Sequence, residues 1–329
     1  MEVRAIFGVS VLLSAILGLG DVGPSDQELL TAAADLVDIH STSAKSFELD
    51  ASFSAQVNVP QDGHLTWKWV AKDLWSQEIT MAGFRQLSVR KGDNLHISRN
   101  APFTPLRITQ LQDLLKVLSV DVDEWQIKKI KHQVQSGIET ACLEVRARSS
   151  GHSGNSKREL CINQTTKELL TDEVRDDQEY RRKEFSDYQP FGGHGYPRHL
   201  GLFVDGSQAL SVRITSLREN EFEATVFVPP AEAVVRRQCE HMIHAVALKT
   251  PDPAYPRSAS QNRIGGTTIV ALTVLPDGSV NNVQLIGSAG KEMDQVTQEI
   301  VKTWKFKPAM CGNEPVASDI RVDMNFRLR

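Results

Sequence analysis

The chain has 329 residues, 40% of them hydrophobic and 24% charged, with a formal charge of −4. That length accommodates two domains of ordinary size. The mild negative balance gives nothing that favours nucleic acid or an anionic membrane surface as a partner.

A short start carrying Arg4 leads into an uncharged run from Ala5 to Gly20, ending in the small residues Gly18 and Gly20. The layout fits a secretory signal cleaved near Gly20–Asp21. A spanning helix needs about 20 apolar residues, so an uncleaved inner-membrane anchor is the alternative. No Cys follows the run for lipid attachment. The expected location is therefore the periplasm.

Ser25 to Ile39 then reads as a helix, with Ser25 as cap and Leu29, Leu30, Ala33 and Leu36 at helical spacing. From Phe47 to Val59 the period is two, which predicts a long strand with one buried face. Further alternation follows at Leu65, Trp67, Trp69 and Ala71, at Trp75, Ile79 and Met81, and at Leu87 and Val89. Asp62-Gly63 and Gly92-Asp93 are read as the turns between these runs. Ile108, Leu111, Leu114, Leu115 and Leu118 form an inserted helix after Pro105. Strands resume at Trp125–Val134, Thr140–Arg148 and Glu159–Asn163 and continue to about Val228.

Pro229-Pro230 and the charged stretch from Glu232 to Glu240 mark a linker. Beyond it, strand Thr267–Leu275, turn Pro276-Asp277-Gly278 and strand Val280–Ile286 precede a helix stripe of Met293, Val296, Ile300, Val301 and Trp304. The last strand points Ile320, Val322, Met324, Phe326 and Leu328 inward and Arg321, Asp323, Asn325 and Arg327 outward. The chain thus divides into a signal or anchor (1–20), an N-terminal helix (21–44), an antiparallel β domain (45–228), a linker (229–250) and a C-terminal domain (251–329). The fold class is mainly β with an α+β C-terminal domain. A curved antiparallel half-barrel with an inserted helix is followed by a small three-stranded antiparallel sheet packed on a helix.

Four cysteines in an exported chain suggest disulfides and allow three pairings. Cys142 and Cys161 sit in two strand-like runs joined by a polar loop, which favours Cys142–Cys161. Cys239–Cys311 follows by elimination. Loops of these lengths contribute about 3–4 kcal/mol each. No C-x-x-C or Cys/His cluster has metal-ligand spacing, so no metal or cofactor is expected.

Nothing favours an enzyme. Gly151-His152-Ser153-Gly154 is not a G-x-S-x-G elbow, and Phe191-Gly192-Gly193-His194-Gly195 lacks the Lys-Ser/Thr of a phosphate loop. Asp172, Glu173, Asp176 and Asp177 interleave with Arg175, Arg181 and Arg182 as on a wet strand face. His241 and His244 share helical spacing without a third ligand.

The C-terminal segment resembles the C-terminal domain of the TonB family. The residues that carry this are Ala254-Tyr255-Pro256, Gly266-Thr267, Pro276-Asp277-Gly278-Ser279-Val280 and Gly287-Ser288-Ala289-Gly290. They continue with Trp304-Lys305-Phe306-Lys307-Pro308-Ala309, Gly312-Asn313-Glu314-Pro315-Val316 and Phe326-Arg327-Leu328. The family's Y-P-x-x-A-R is here Tyr255-Pro256-Arg257-Ser258-Ala259-Ser260, without the final Arg. Each motif residue also has a plain structural reading. Gly278 supplies a hairpin's positive φ, Trp304 and Phe306 pack, and Pro308 and Pro315 end elements.

The resemblance implies docking to an envelope partner, typically an outer-membrane transporter, whose extended segment adds as a strand. The last strand, Asp319–Arg329, is the expected edge, with Asp319, Arg321, Asp323, Asn325 and Arg327 along it and the two arginines available to select acidic partners. Residues 45–228 resemble the outer-membrane lipoprotein carrier and sorting superfamily in architecture and in Leu160-Cys161-Ile162-Asn163 and Tyr188-Gln189-Pro190-Phe191. That resemblance implies an apolar cavity able to hold a lipid or acyl chain; the competing reading fills it with the chain's own helices. Energy transduction, the family's familiar role, would need an anchor and a Pro-rich spanner. The apolar run carries Ser10 and Ser14 but no His, and the interior is strand-rich.

Overall fold

The computed structural model describes residues 16–20, 24–40, 45–57, 59–118, 125–135, 137–147, 157–175, 179–239 and 242–327. Expectations on residues 1–15, Gly151–Gly154, Asp176, Asp177, Glu240, His241 and Leu328 fall outside them.

The elements begin with β1 (Ile16–Gly20), α1 (Pro24–Val37), β2 (Phe47–Gln56), β3 (Pro60–Ala71), β4 (Leu74–Met81), β5 (Phe84–Lys91) and β6 (Asn94–Arg99). Next come α2 (Leu106–Leu114), β7 (Trp125–Gln135), β8 (Ile138–Ala147), β9 (Lys157–Asn163), β10 (Leu169–Arg175), β11 (Tyr180–Phe191), β12 (His194–Val204) and β13 (Ser207–Glu219). The rest are β14 (Val234–Arg237), β15 (Met242–Ile243), β16 (Val246–Lys249), α3 (Arg257–Gln261), β17 (Gly266–Val274) and β18 (Val280–Gly287). They end with α4 (Lys291–Val301), β19 (Lys305–Lys307), β20 (Ala309–Cys311), β21 (Glu314–Val316) and β22 (Ser318–Phe326). The fold is mainly β, and the chain forms two compact units, residues 1–44 with 112–214 and residues 45–111 with 215–329.

In the first unit the strands pair antiparallel in the order β1-β7-β8-β9-β10-β11-β12-β13. Helix α1 packs on β12 and β9, because Leu29, Leu30, Ala33, Ala34 and Val37 fall on one face and are buried. Cys142 and Cys161 are register partners on β8 and β9 and are disulfide-bonded. One charged face departs from expectation: Asp172 is not wet but 2% exposed. It accepts two hydrogen bonds from Arg158, at 2.8 and 2.9 Å, with the guanidinium 4.7 Å from the Trp125 ring centre. A carboxylate buried this deeply is tolerated because a partner satisfies its oxygens. Gly192-Gly193 forms the β11–β12 turn.

In the second unit the order is β13-β2-β3-β4-β5-β6-β14. Strand β2 alternates as its sequence predicts, burying Phe47, Leu49, Ala51, Phe53 and Ala55. It ends at Gln56 rather than Val59, and Asp62-Gly63 lies inside β3 rather than in a turn. Gly63 stands opposite Phe53, and a Cβ there would meet the Phe53 ring at 2.2 Å and the Thr80 carbonyl oxygen at 2.6 Å. The glycine serves close approach, not chain reversal. The segment read as a linker, 229–250, carries three short strands, of which β14 pairs with β6.

The end of this unit holds the sheet β18-β17-β22 with α4 packed on it. Val270, Leu272, Val274, Val301, Trp304 and Phe306 form the core. Two smaller sheets, β15-β20-β21 and β16-β19, complete it, and Cys239–Cys311 is the second disulfide.

Candidate partner-docking edge

Strand β22 pairs with β17 residue by residue, from Gly266 opposite Phe326 to Val274 opposite Ser318. Its other side has no strand partner among the described residues, since β22 ends its sheet. Ile320, Val322 and Met324 pack against the buried core. Asp319, Arg321, Asp323 and Asn325 alternate with them as exposed residues. The side chains of Arg321 and Asp323 are 34% and 30% exposed.

The charges on the edge are largely spoken for. Arg321 donates to Asp323 at 2.6 Å along the strand, so it is not held ready for an acidic partner. Asp319 accepts two hydrogen bonds from Arg236 of β14, at 2.9 and 3.1 Å, and one from Thr273 at 2.7 Å. Asn325 and Arg327 instead line a shallow cleft with Ser260, Arg263 and Thr267.

The motif residues brace this sheet. The Tyr255 hydroxyl donates to the Ile264 carbonyl at 2.7 Å, and its ring meets Phe326 edge-on at 5.6 Å. Pro256 caps α3. Gly278 has φ +79°, and a Cβ on it would lie 2.0 Å from the Phe306 carbonyl oxygen. The same close approach lets the Phe306 N–H donate to the Gly278 carbonyl at 3.0 Å. Trp304 Nε1 donates to the Pro251 carbonyl at 3.1 Å. Pro308 separates β19 from β20. Pro315 sits within β21 instead of ending an element; β21 is an edge strand, where a missing N–H is tolerated.

Two residues central to this geometry had no sequence signal. Asp294, 6% exposed, accepts from Thr268 Oγ1 at 2.9 Å, from the Ala289 N–H at 3.0 Å and from Ser288 Oγ. It ties the loop before α4 to β17. Arg236 lay in the supposed linker, where nothing announced a partner 83 residues away.

Residues 251–328 match the family model described as Gram-negative bacterial TonB protein C-terminal. Among curated proteins, TonB of Vibrio cholerae is 36% identical over 77 residues, which is 23% of this chain and 32% of that protein. Protein tonB2 of Pseudomonas aeruginosa is 34% identical over 82 residues, 25% of this chain and 30% of that protein. The chain thus spans about a third of the length of these curated relatives. Among solved structures, the Pseudomonas aeruginosa TonB C-terminal domain is 28% identical, covering 27% of this chain and 96% of that one, at a TM-score of 0.23. A LolA superfamily protein from Nitrosomonas europaea covers 61% of this chain and 96% of its own at 11% identity and a TM-score of 0.41. No helix among the described residues is long and apolar enough to cross a membrane.

Proposed function

We propose that this is an exported, non-enzymatic envelope protein that docks through its TonB-type C-terminal module to a membrane or periplasmic protein. The partner contributes an extended segment that adds as a strand beside β22; an outer-membrane transporter is the class of partner the relatives favour. The observation that carries the reading is the edge itself: nine residues, paired on one side only among the described residues. Main-chain N–H and C=O groups provide the affinity, so no single side chain need be indispensable.

A lipid cargo in the middle region has less behind it. In the first unit Leu30 of α1 is 1% exposed, and in the second Ile108 and Leu111 of α2 are 0% exposed, as expected of helices whose apolar faces are already covered. Energy transduction remains the second role for the same edge.

Photo-crosslinking in intact cells tests the proposal. A photoreactive residue at Asp323 or Asn325 should capture one envelope protein, and the same residue at Gln295, exposed on α4, should not. Equal capture from all three positions, or none from β22, would overturn it. Capture of an inner-membrane motor component would select transduction.

A further inference from the structure

The two-stranded sheet β16-β19 presents a face that docking at β22 does not use. Phe306 of β19 turns into the core and is 6% exposed. Its neighbours Lys305 and Lys307 therefore turn outward, and both are exposed. Val246 lies opposite Lys307 and Lys249 opposite Lys305, with a register shift between Ala247 and Lys249. Residues directly opposite in register share a face, so Val246 and Lys249 join the two lysines outside. Every residue of β16 is exposed, Val246 at 53% and Leu248, in the register shift, at 69%.

We propose that this face rests on an anionic lipid surface, with Lys249, Lys305 and Lys307 on the headgroups and Val246 and Leu248 entering between them. None of the three lysines forms a salt bridge with a described residue. Asp277 lies within Coulombic reach of Lys305 but forms no salt bridge with it, and its hydrogen bonds come from the Ser279 hydroxyl and N–H at 2.6 and 2.9 Å. Three lysines against the one nearby carboxylate, Asp277, leave this face net positive on a chain of net charge −4. Large apolar side chains beside lysines at such exposure suit an interface that is charged outside and apolar beneath. A soluble acidic protein would satisfy the lysines but leave Leu248 without a medium. The inference is independent of the docking proposal, because β22 belongs to another sheet.

Vesicle flotation of the full chain is the test. The protein should float with phosphatidylglycerol-containing vesicles and not with pure phosphatidylcholine, and added salt should release it. Lys305→Gln and Lys307→Gln should each weaken partitioning about fivefold, and Leu248→Ser should weaken it several-fold with the salt dependence retained. Equal flotation with phosphatidylcholine, or unaltered binding by the double lysine variant, would sink the idea. So would retention by purified peptidoglycan in place of vesicles. Capture at β22 in the crosslinking experiment would persist in all of these variants.

Discussion

The meander from β7 to β12 and the C-terminal module are both built of antiparallel strands, yet they are held in different ways. In the meander each strand pairs with the next in sequence, and strands of seven to twelve residues spread the stabilisation over many similar cross-strand pairs. The module instead divides its strands among three sheets, and β15, β16, β19, β20 and β21 are two to four residues long. Such short ladders contribute little alone. Their positions depend on a few strong points: the Cys239–Cys311 bond, the Gly278–Phe306 approach, the buried Asp294 and the Trp304 Nε1 hydrogen bond. A meander should therefore tolerate single lesions that the module does not.

The largest expected effect sharpens this contrast through the disulfides. Cys239 and Cys311 are 72 residues apart, and Cys142 and Cys161 only 19. Replacing the first pair by serine should lower stability by about 4 kcal/mol and the second by about 3 kcal/mol, from loop closure alone. Urea unfolding followed by tryptophan fluorescence measures both, and a larger loss from the meander pair would break the contrast. Next in size is Gly278→Ala. The positive φ costs about 1–2 kcal/mol for any side chain, and displacing the Phe306 backbone brings the total to about 3 kcal/mol. Gly83→Ala is the control: φ is +72° but a Cβ there meets nothing within 4 Å, so the loss should stay near 1–2 kcal/mol. Equal losses would mean that the β19 backbone yields freely.

The same contrast decides what the sequence reveals. Period-two burial runs through β2 and β3 in the residues themselves, as Phe47, Leu49 and Ala51 opposite Trp69, Trp67 and Leu65 show. The turn between them was misplaced because Asp-Gly carries a turn signal whatever its neighbours, whereas the role of Gly63 depends on the Phe53 ring across the sheet. In the module, the helix stripe of α4 and the inward residues of β22 were legible by spacing, and the motif residues by resemblance. Strands of two to four residues are too short to show a period, so β14, β15 and β16 passed as linker. Along the docking edge, charge could be read but pairing could not. Arg321 reads as available to an acidic partner, but Asp323 beside it holds it, and Asp319 is likewise held by Arg236. Ion pairs between distant segments leave no mark on either segment alone.

The smallest expected effect is a pH dependence that should loosen the first unit before the module. Burial, with a further push from Lys116, lowers the His40 imidazole to about 4 from its usual 6.5. In the unfolded chain His40 takes up a proton as pH falls through about 6.5, while in the folded chain it stays neutral until about 4. Between these values the unfolded state binds more protons, so stability falls as the solution is acidified, and full stability is present only above about 6.5. At pH 5 the loss comes to about 2 kcal/mol at most. His40→Gln should remove that part of the slope while leaving stability at pH 8 nearly unchanged. Trp125 lies in the first unit and Trp304 in the module, so chains retaining only one of these tryptophans can report the two regions separately. On acidification from pH 7 to 5 the urea midpoint seen by Trp125 should move down further than that seen by Trp304. A parallel shift of both, or a slope that survives His40→Gln, would place the acid-sensitive group elsewhere.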